Sequence, residues 1–328
     1  MSNTQGSNMN NTHSLLSSLL LKPASARRAN SRNEMRRLPR IIASALALSW
    51  VMAASAADPK QATKDAPWEN SLGMKFVPVK GTDALFCLWF TRVQDFAAFV
   101  KETGHDATAS MYSMRADSVS VKARGGTWES PGFKQGPTHP VCGVNWEDAQ
   151  AFCAWLTKKE RADGRLTADQ HYRLPTDVEW SVAVGLGSET GDTPKAKDSK
   201  INDVYPWGTQ WPPPKNAGNY AGEEAKADLP GKARVINGYN DGYVHTSPVG
   251  IFAANTFGLF DMGGNLQQWC EDLYEPSQSN RMSRGSSWLT GRSDSLLSSI
   301  RIPIHPRRRS DFYGFRCVLV SSTPSWLP

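Results

Sequence analysis

Beyond residue 56 the chain carries no excess charge of either sign. The 328 residues hold 37 Lys and Arg against 31 Asp and Glu, a formal net charge of +6. Lys22, Arg27, Arg28, Arg32, Arg36, Arg37 and Arg40, with Glu34 as the single acid, account for all of that excess. The remainder is neutral, which excludes a broad electrostatic grip on nucleic-acid phosphates. Long apolar runs are also scarce: residues 41–57 are uncharged but fall short of the roughly 20 residues a spanning helix needs. No C-x-x-C pair occurs, so zinc ribbons and thioredoxin-type centres have no support. H-x₃-H, H-E-x-x-H and G-x-S-x-G are absent, which removes the usual signatures of histidine-bound metal and serine hydrolysis. No repeat of fixed period is present.

What is present is aromatic and loop-forming. Twelve Trp, 26 Gly and 21 Pro accompany 39% hydrophobic residues, the composition of a loop-rich globule with large aromatic anchors. MRRLPR (35–40), the apolar stretch and Ala54-Ser55-Ala56 have the form of a secretory signal, with Met35 as its natural start and cleavage after Ala56. An uncleaved membrane anchor is the alternative. The expected location is periplasmic or extracellular, with no stable transmembrane span after cleavage. All five cysteines (Cys87, Cys142, Cys153, Cys270 and Cys317) follow the leader, and export permits two disulfides and one leftover thiol.

Residues 57–69 are polar and read as a flexible tether. The runs 74–79 and 84–90 predict paired strands around a Lys80–Asp83 turn. The spacing of Val93, Phe96, Ala97, Phe99 and Val100 predicts a helix over 92–103, capped by Thr91 and ended by Gly104. Asn145 caps a second helix, 146–160, and Thr176-Asp177-Val178-Glu179 opens a third with a capping box. Residues 105–137 and 186–246 lack a clear period, and a stretch that long is uncommon unless functional or pinned. From Ser247 onward short runs, SSWL (286–289) among them, alternate with turns and predict short strands, not βαβ units.

Several segments, in order, are similar to the sulfatase-modifying-factor superfamily, whose best-known member is the formylglycine-generating enzyme. They are NSLGMKFVPV (70–79), HPVCGVNWEDAQAFCAWL (139–156), YRLPTDVEW (172–180), YPWG (205–208), NTFGLFDMGGNLQQW (255–269), RGSSW (284–288) and GFRC (314–317). The resemblance implies one α+β domain over 70–320, loop-rich, with a variant C-type-lectin-like fold, then a tail over 321–328. It also implies a test of chemistry. The family's copper-dependent oxidase places two cysteines after the R-G-G-S-[WY] block, and a soft Cu(I) ion needs both. Here those positions are Thr290 and Ser295. Copper is therefore not expected, and the isolated histidines give no support to an iron site.

For calcium, the resemblance implies one site at Asn219 and Asp241 with the carbonyls of Tyr220 and Tyr243. A weaker second site falls at Asp261, Gly264 and Leu266, where the family's Glu is replaced by Gln268. Cys153 and Cys317 match a family disulfide, which leaves Cys87, Cys142 and Cys270 without an assignment. Arg307, Arg308 and Arg309, with Trp288, are read as a candidate ligand groove, the alternatives being a solvated loop and a core tryptophan. Trp128, Trp207 and Trp211 are weighed in the same way. The expectation is an exported binding or accessory module with a protein, peptide or glycan ligand, a sulfatase among the candidates. The alternative is an iron-type oxidoreductase acting on an exported substrate.

Overall fold

In the computed structural model, residues 58–113, 122–123, 126–228 and 235–322 are described. The leader with its cleavage site and most of the tail lie outside them. One five-stranded antiparallel sheet has the order β1-β2-β3-β11-β6. Its strands are β1 (Trp68–Glu69), β2 (Lys75–Pro78), β3 (Ala84–Cys87), β6 (Gln170–Arg173) and β11 (Val318–Ser321). The expected β2–β3 pair forms, with Phe76 opposite Cys87. The C-terminal β11 fills the centre, placing Leu319 between Leu85 and Tyr172. A four-stranded sheet has the order β10-β7-β8-β9, built from β7 (Gln267–Leu273), β8 (Arg281–Arg284), β9 (Arg301–Ile304) and β10 (Tyr313–Gly314). Its β7–β8 and β8–β9 pairs are antiparallel and its short β10–β7 pair is parallel. A two-residue pair, β4 (Tyr112–Ser113) and β5 (Lys122–Ala123), completes the strands.

Helix α1 (Val93–Thr103) begins one residue later than its pattern predicts. Thr91 is fully buried, and the Arg92 N–H donates to Asp95 Oδ2 at 2.9 Å, closing the first turn in its place. Gly104 ends it at φ 69°, a conformation a Cβ would oppose. Helix α2 (Trp146–Ala162) is capped by the reciprocal Asn145–Asp148 pair, and α3 (Asp177–Val184) by Thr176 and Glu179. One short helix, α4 (Pro194–Lys197), lies in the long irregular stretch. SSWL (286–289) forms a turn and not a strand, because Trp288 N–H is drawn to Asn265 O at 3.0 Å.

Aromatic rings join the layers. Phe96 and Phe99 of α1 meet Phe152 and Trp155 of α2, with centroids 5.5–6.2 Å apart, and Phe315 closes the cluster 5.4 Å from Phe152. Trp128 packs edge-on to Phe96 and belongs to this core, not to a groove. The tether expectation meets a different outcome at its far end. Asp58 caps a short 3₁₀ turn, and Trp68 is buried against Phe76. Burying an indole of that size holds the segment against the sheet.

Arginines hold the loops to this core. Arg284 and Arg301 are buried around Asp177, which accepts from Arg284 Nη1 and from Arg301 Nε at 2.9 Å. Glu189 closes the far side of Arg301 at 2.6 Å. All described residues fall in one compact unit. Among them no helix is long and apolar enough to cross a membrane.

Candidate functional site

Strand β8 delivers the loop that carries Thr290 and Ser295. Gly285 turns it at φ +72°, with Met262 O only 3.1 Å from where a Cβ would stand. Trp288 is then locked: its main-chain N–H reaches Asn265 O and its indole N–H reaches Asp311 O at 3.2 Å. At 1% exposure it is a core anchor and lines no groove. The Thr290 hydroxyl accepts from Ser287 N–H at 3.2 Å, and the Ser295 hydroxyl donates to Asp294 Oδ1 at 3.0 Å. The two hydroxyls thus serve different local partners. Behind them His245 stacks on Phe133 at 4.4 Å and leans on Trp288 at 4.8 Å. Burial lowers the His245 pKa, which favours the neutral ring. More than a hundred residues separate Phe133 from His245, so no sequence spacing signals this stack.

The first calcium set comes together. Asp241 accepts from Tyr220 N–H at 2.8 Å through one oxygen and from Tyr243 N–H at 2.9 Å through the other. Burial pushes its carboxyl up to about 7, and the Glu224 carboxylate adds to the rise. Asn219 is fully buried; its amide donates to His245 O at 2.7 Å while Oδ1 has no partner. Glu224 Oε2 is likewise buried without a partner. Two carboxylates and an orphaned amide oxygen, with no basic side chain bonded to them, fit a hard cation of calcium's kind. The sequence reading missed Glu224; Gly222 leaves the room it needs, since a Cβ there would lie 2.5 Å from its carboxylate.

The second set does not fit. Arg316 Nε donates to Gln268 Oε1 at 2.6 Å, and because Arg can only donate, this fixes the Gln268 amide orientation. Its NH₂ therefore points at the carbonyls of Asp261 and Met262, at 3.2 and 3.1 Å. Arg316 Nη2 adds a second donor to Asp261 O. Asp261 keeps one carboxylate oxygen unpartnered, but donors and a guanidinium converge where a cation would need acceptors. Gly264 supplies a turn at φ +79°, and Leu266 is core.

The arginine run is divided. Arg307 is exposed beside Glu147 at 3.3 Å, and Arg308 lies 4.3 Å over the Tyr112 ring. Arg309 is nearly buried in a two-pronged pair with Asp148, which also meets His105 Nε2 at 2.9 Å. Trp288 and the three arginines therefore do not share one ligand surface.

Cys153 and Cys317 face each other with sulfurs 3.5 Å apart, both buried. Burial pushes the Cys87 thiol up to about 12 and raises Cys142, Cys270 and Cys317 as well. Buried protonated thiols are poor nucleophiles. Among the described residues no group of three or more His, Cys, Asp or Glu is placed to hold a metal. The first calcium set holds two carboxylates, Asp241 and Glu224, beside the Asn219 amide oxygen, one acid short of such a group.

Short sheets and few helices, with irregular loops riveted by buried arginines, define a loop-rich α+β domain. Residues 90–320 match the sulfatase-modifying factor enzyme 1-like domain, and the chain belongs to that family. It is 32% identical over 209 residues to the mouse protein named inactive C-alpha-formylglycine-generating enzyme 2, covering 60% of this chain and 56% of that one. It is 30% identical over 205 residues to the formylglycine-generating enzyme of Thermomonospora curvata, covering 55% and 57%. The chain thus spans just over half the length of these curated relatives. Among solved structures, PvdO from Pseudomonas aeruginosa aligns at 22% identity with a TM-score of 0.47, over 72% of this chain and 80% of that one.

Proposed function

We propose that this protein is an exported binding or accessory module on the family scaffold and not a copper-dependent oxidase. The observation that carries the reading is the pair of hydroxyls at Thr290 and Ser295, each engaged locally. The relative named as inactive supports it. A copper-loading and peptide-oxidation assay, argued in the Discussion, tests it. The ligand classes that suit an exported module are a protein (a sulfatase among them), a peptide or a glycan. The leader supports export, and N-terminal sequencing of the secreted form should begin at Ala57. The scattered histidines offer no observation that favours the iron-type alternative.

Calcium at Asn219, Tyr220, Asp241 and Tyr243, with Glu224 as an added carboxylate, would tie the 219–224 and 239–245 loops together. Chelator-treated protein should gain thermal stability when calcium is returned. At 100-fold excess over Kd the gain is about 2.7 kcal/mol, a rise of roughly 5–10 °C in Tm. Asp241→Asn should abolish the gain and Glu224→Gln should reduce it. A calcium response unchanged in Asp241→Asn would place the ion elsewhere.

In the export compartment Cys153 and Cys317 would form a disulfide. The bond would close a sequence separation of 164 residues, worth about 4–5 kcal/mol in the loop-entropy account. Denatured, unreduced protein from an oxidising compartment should then take up three alkyl groups per chain, with the Cys153 and Cys317 peptides linked. Uptake of five would refute the bond.

A further inference from the structure

We propose that the cavity between the 204–217 loop and the 253–263 loop is a saccharide-binding site, with Trp207 in its wall and Trp211 beside it as stacking surfaces. This deepens the binding-module reading by naming a ligand class. The cavity measures about 490 Å³ and is lined by Tyr205, Pro206, Trp207, Lys215, Asn216 and Thr256 among others. That volume lies within the roughly 300–1,000 Å³ range of small-molecule sites.

The aromatic part is built and held. Trp207 lies parallel to Tyr205, 4.9 Å apart at 4°, and meets the edge of the buried Tyr220 at 5.0 Å. Its indole N–H is satisfied by Gln210 O at 2.8 Å, so the ring orientation is set before any ligand arrives. Trp211 packs against both neighbours, 5.6 Å from Tyr205 and 6.5 Å from Trp207. Yet it remains 42% exposed, while Trp68, Trp128, Trp155, Trp180, Trp269 and Trp288 are all at 9% or less. A large, pre-oriented indole left in water next to a cavity has an energetic cost that a ligand face would relieve.

The polar lining selects the ligand. Among the described residues, Lys215 is the single charged side chain of the cavity wall and no carboxylate lines it. A polyanion would need several cations, and a cationic ligand would need an acid. Asn216 and Thr256 offer neutral donors and acceptors. The two loops are fixed to each other by Ala253 N–H to Asn216 O at 3.0 Å, with Asn216 held at φ 74°. Aromatic faces beside neutral amide and hydroxyl groups suit a pyranose, whose C–H face stacks on a ring while its rim of hydroxyls hydrogen-bonds.

The test uses the full exported chain on a glycan array, followed by tryptophan-fluorescence titration with the best-bound disaccharide. A decaproline peptide is titrated in parallel, because aromatic grooves also take polyproline helices. The expected result is saturable sugar binding, weakened at least tenfold by Trp211→Ala and by Asn216→Ala, with a cooperative unfolding transition retained in both variants. No saturable binding of any arrayed glycan overturns the proposal. So does sugar binding unaffected by both substitutions, or decaproline binding in place of sugar. Neither substitution touches the Thr290–Ser295 loop, so failure here leaves the non-copper reading standing, and failure there leaves this one.

Discussion

Reconstituted with cuprous ion under reducing conditions, the protein retains no stoichiometric copper and leaves a cysteine-bearing sulfatase peptide unoxidised. That is the expected result, with aldehyde formation at or below background. Cu(I) is soft and binds thiolates far better than hydroxyls. The two family positions offer Thr290 and Ser295, and their oxygens already bond to Ser287 and Asp294. The other unassigned cysteines are no better, since Cys87, Cys142 and Cys270 are buried with raised pKa values and cannot readily supply a thiolate. The double variant Thr290→Cys/Ser295→Cys should gain Cu(I) binding, seen by competition with a chromogenic chelator. Aldehyde produced by the unmodified protein would overturn the non-copper reading outright.

Asp177→Ala should cost about 3–5 kcal/mol of unfolding free energy, the largest stability effect of any single substitution considered. Asp177 is 2% exposed and sits between Arg284 and Arg301, themselves 0% and 1% exposed. Removing it leaves two guanidiniums in the interior with only Glu189 to balance them, and breaking a buried pair from one side has effects of that size. The loss is about a fifth or more of the total stability of an ordinary domain. Urea unfolding at neutral pH measures it, and a loss below about 1 kcal/mol would contradict the account. Arg307→Ala, removing an exposed charge beside Glu147, should stay within about 0.5 kcal/mol.

The same cluster sets an acid limit. Burial alone would raise the Glu189 pKa, but its bonds to Arg301 and Ser181 and the charges of Arg301 and Arg284 outweigh it and bring it below the ordinary glutamate value. A lowered carboxylate pKa means that the unfolded chain binds the proton first. Its contribution is therefore complete above the ordinary glutamate value and is lost as pH falls through the folded one. Glu189→Gln should flatten the acid limb of a stability–pH curve, and an unchanged limb would assign that limb to other groups.

Local chemistry was legible in the sequence. The Asn145 cap, the Thr176–Glu179 capping box, the Gly104 stop and the β2–β3 pair depend on residues a few positions apart, so spacing reveals them. The segments that resemble the family, and the replacement of its two cysteines by Thr290 and Ser295, were equally readable. Burial and long-range pairing were not. Whether Trp288 is an anchor or a groove wall depends on Asp311 O, and whether Arg309 is a patch or a rivet depends on Asp148, over 160 residues away in sequence. The second calcium set looked merely weakened until Arg316 turned the Gln268 amide toward the carbonyls. Glu224 joined Asp241 only through the folding of two loops. Local elements and family membership were readable from residue order, because short-range hydrogen bonding and residue type decide those. Which charges are buried together and which aromatic rings remain in water emerged only on folding, because both depend on contacts between residues far apart in the chain.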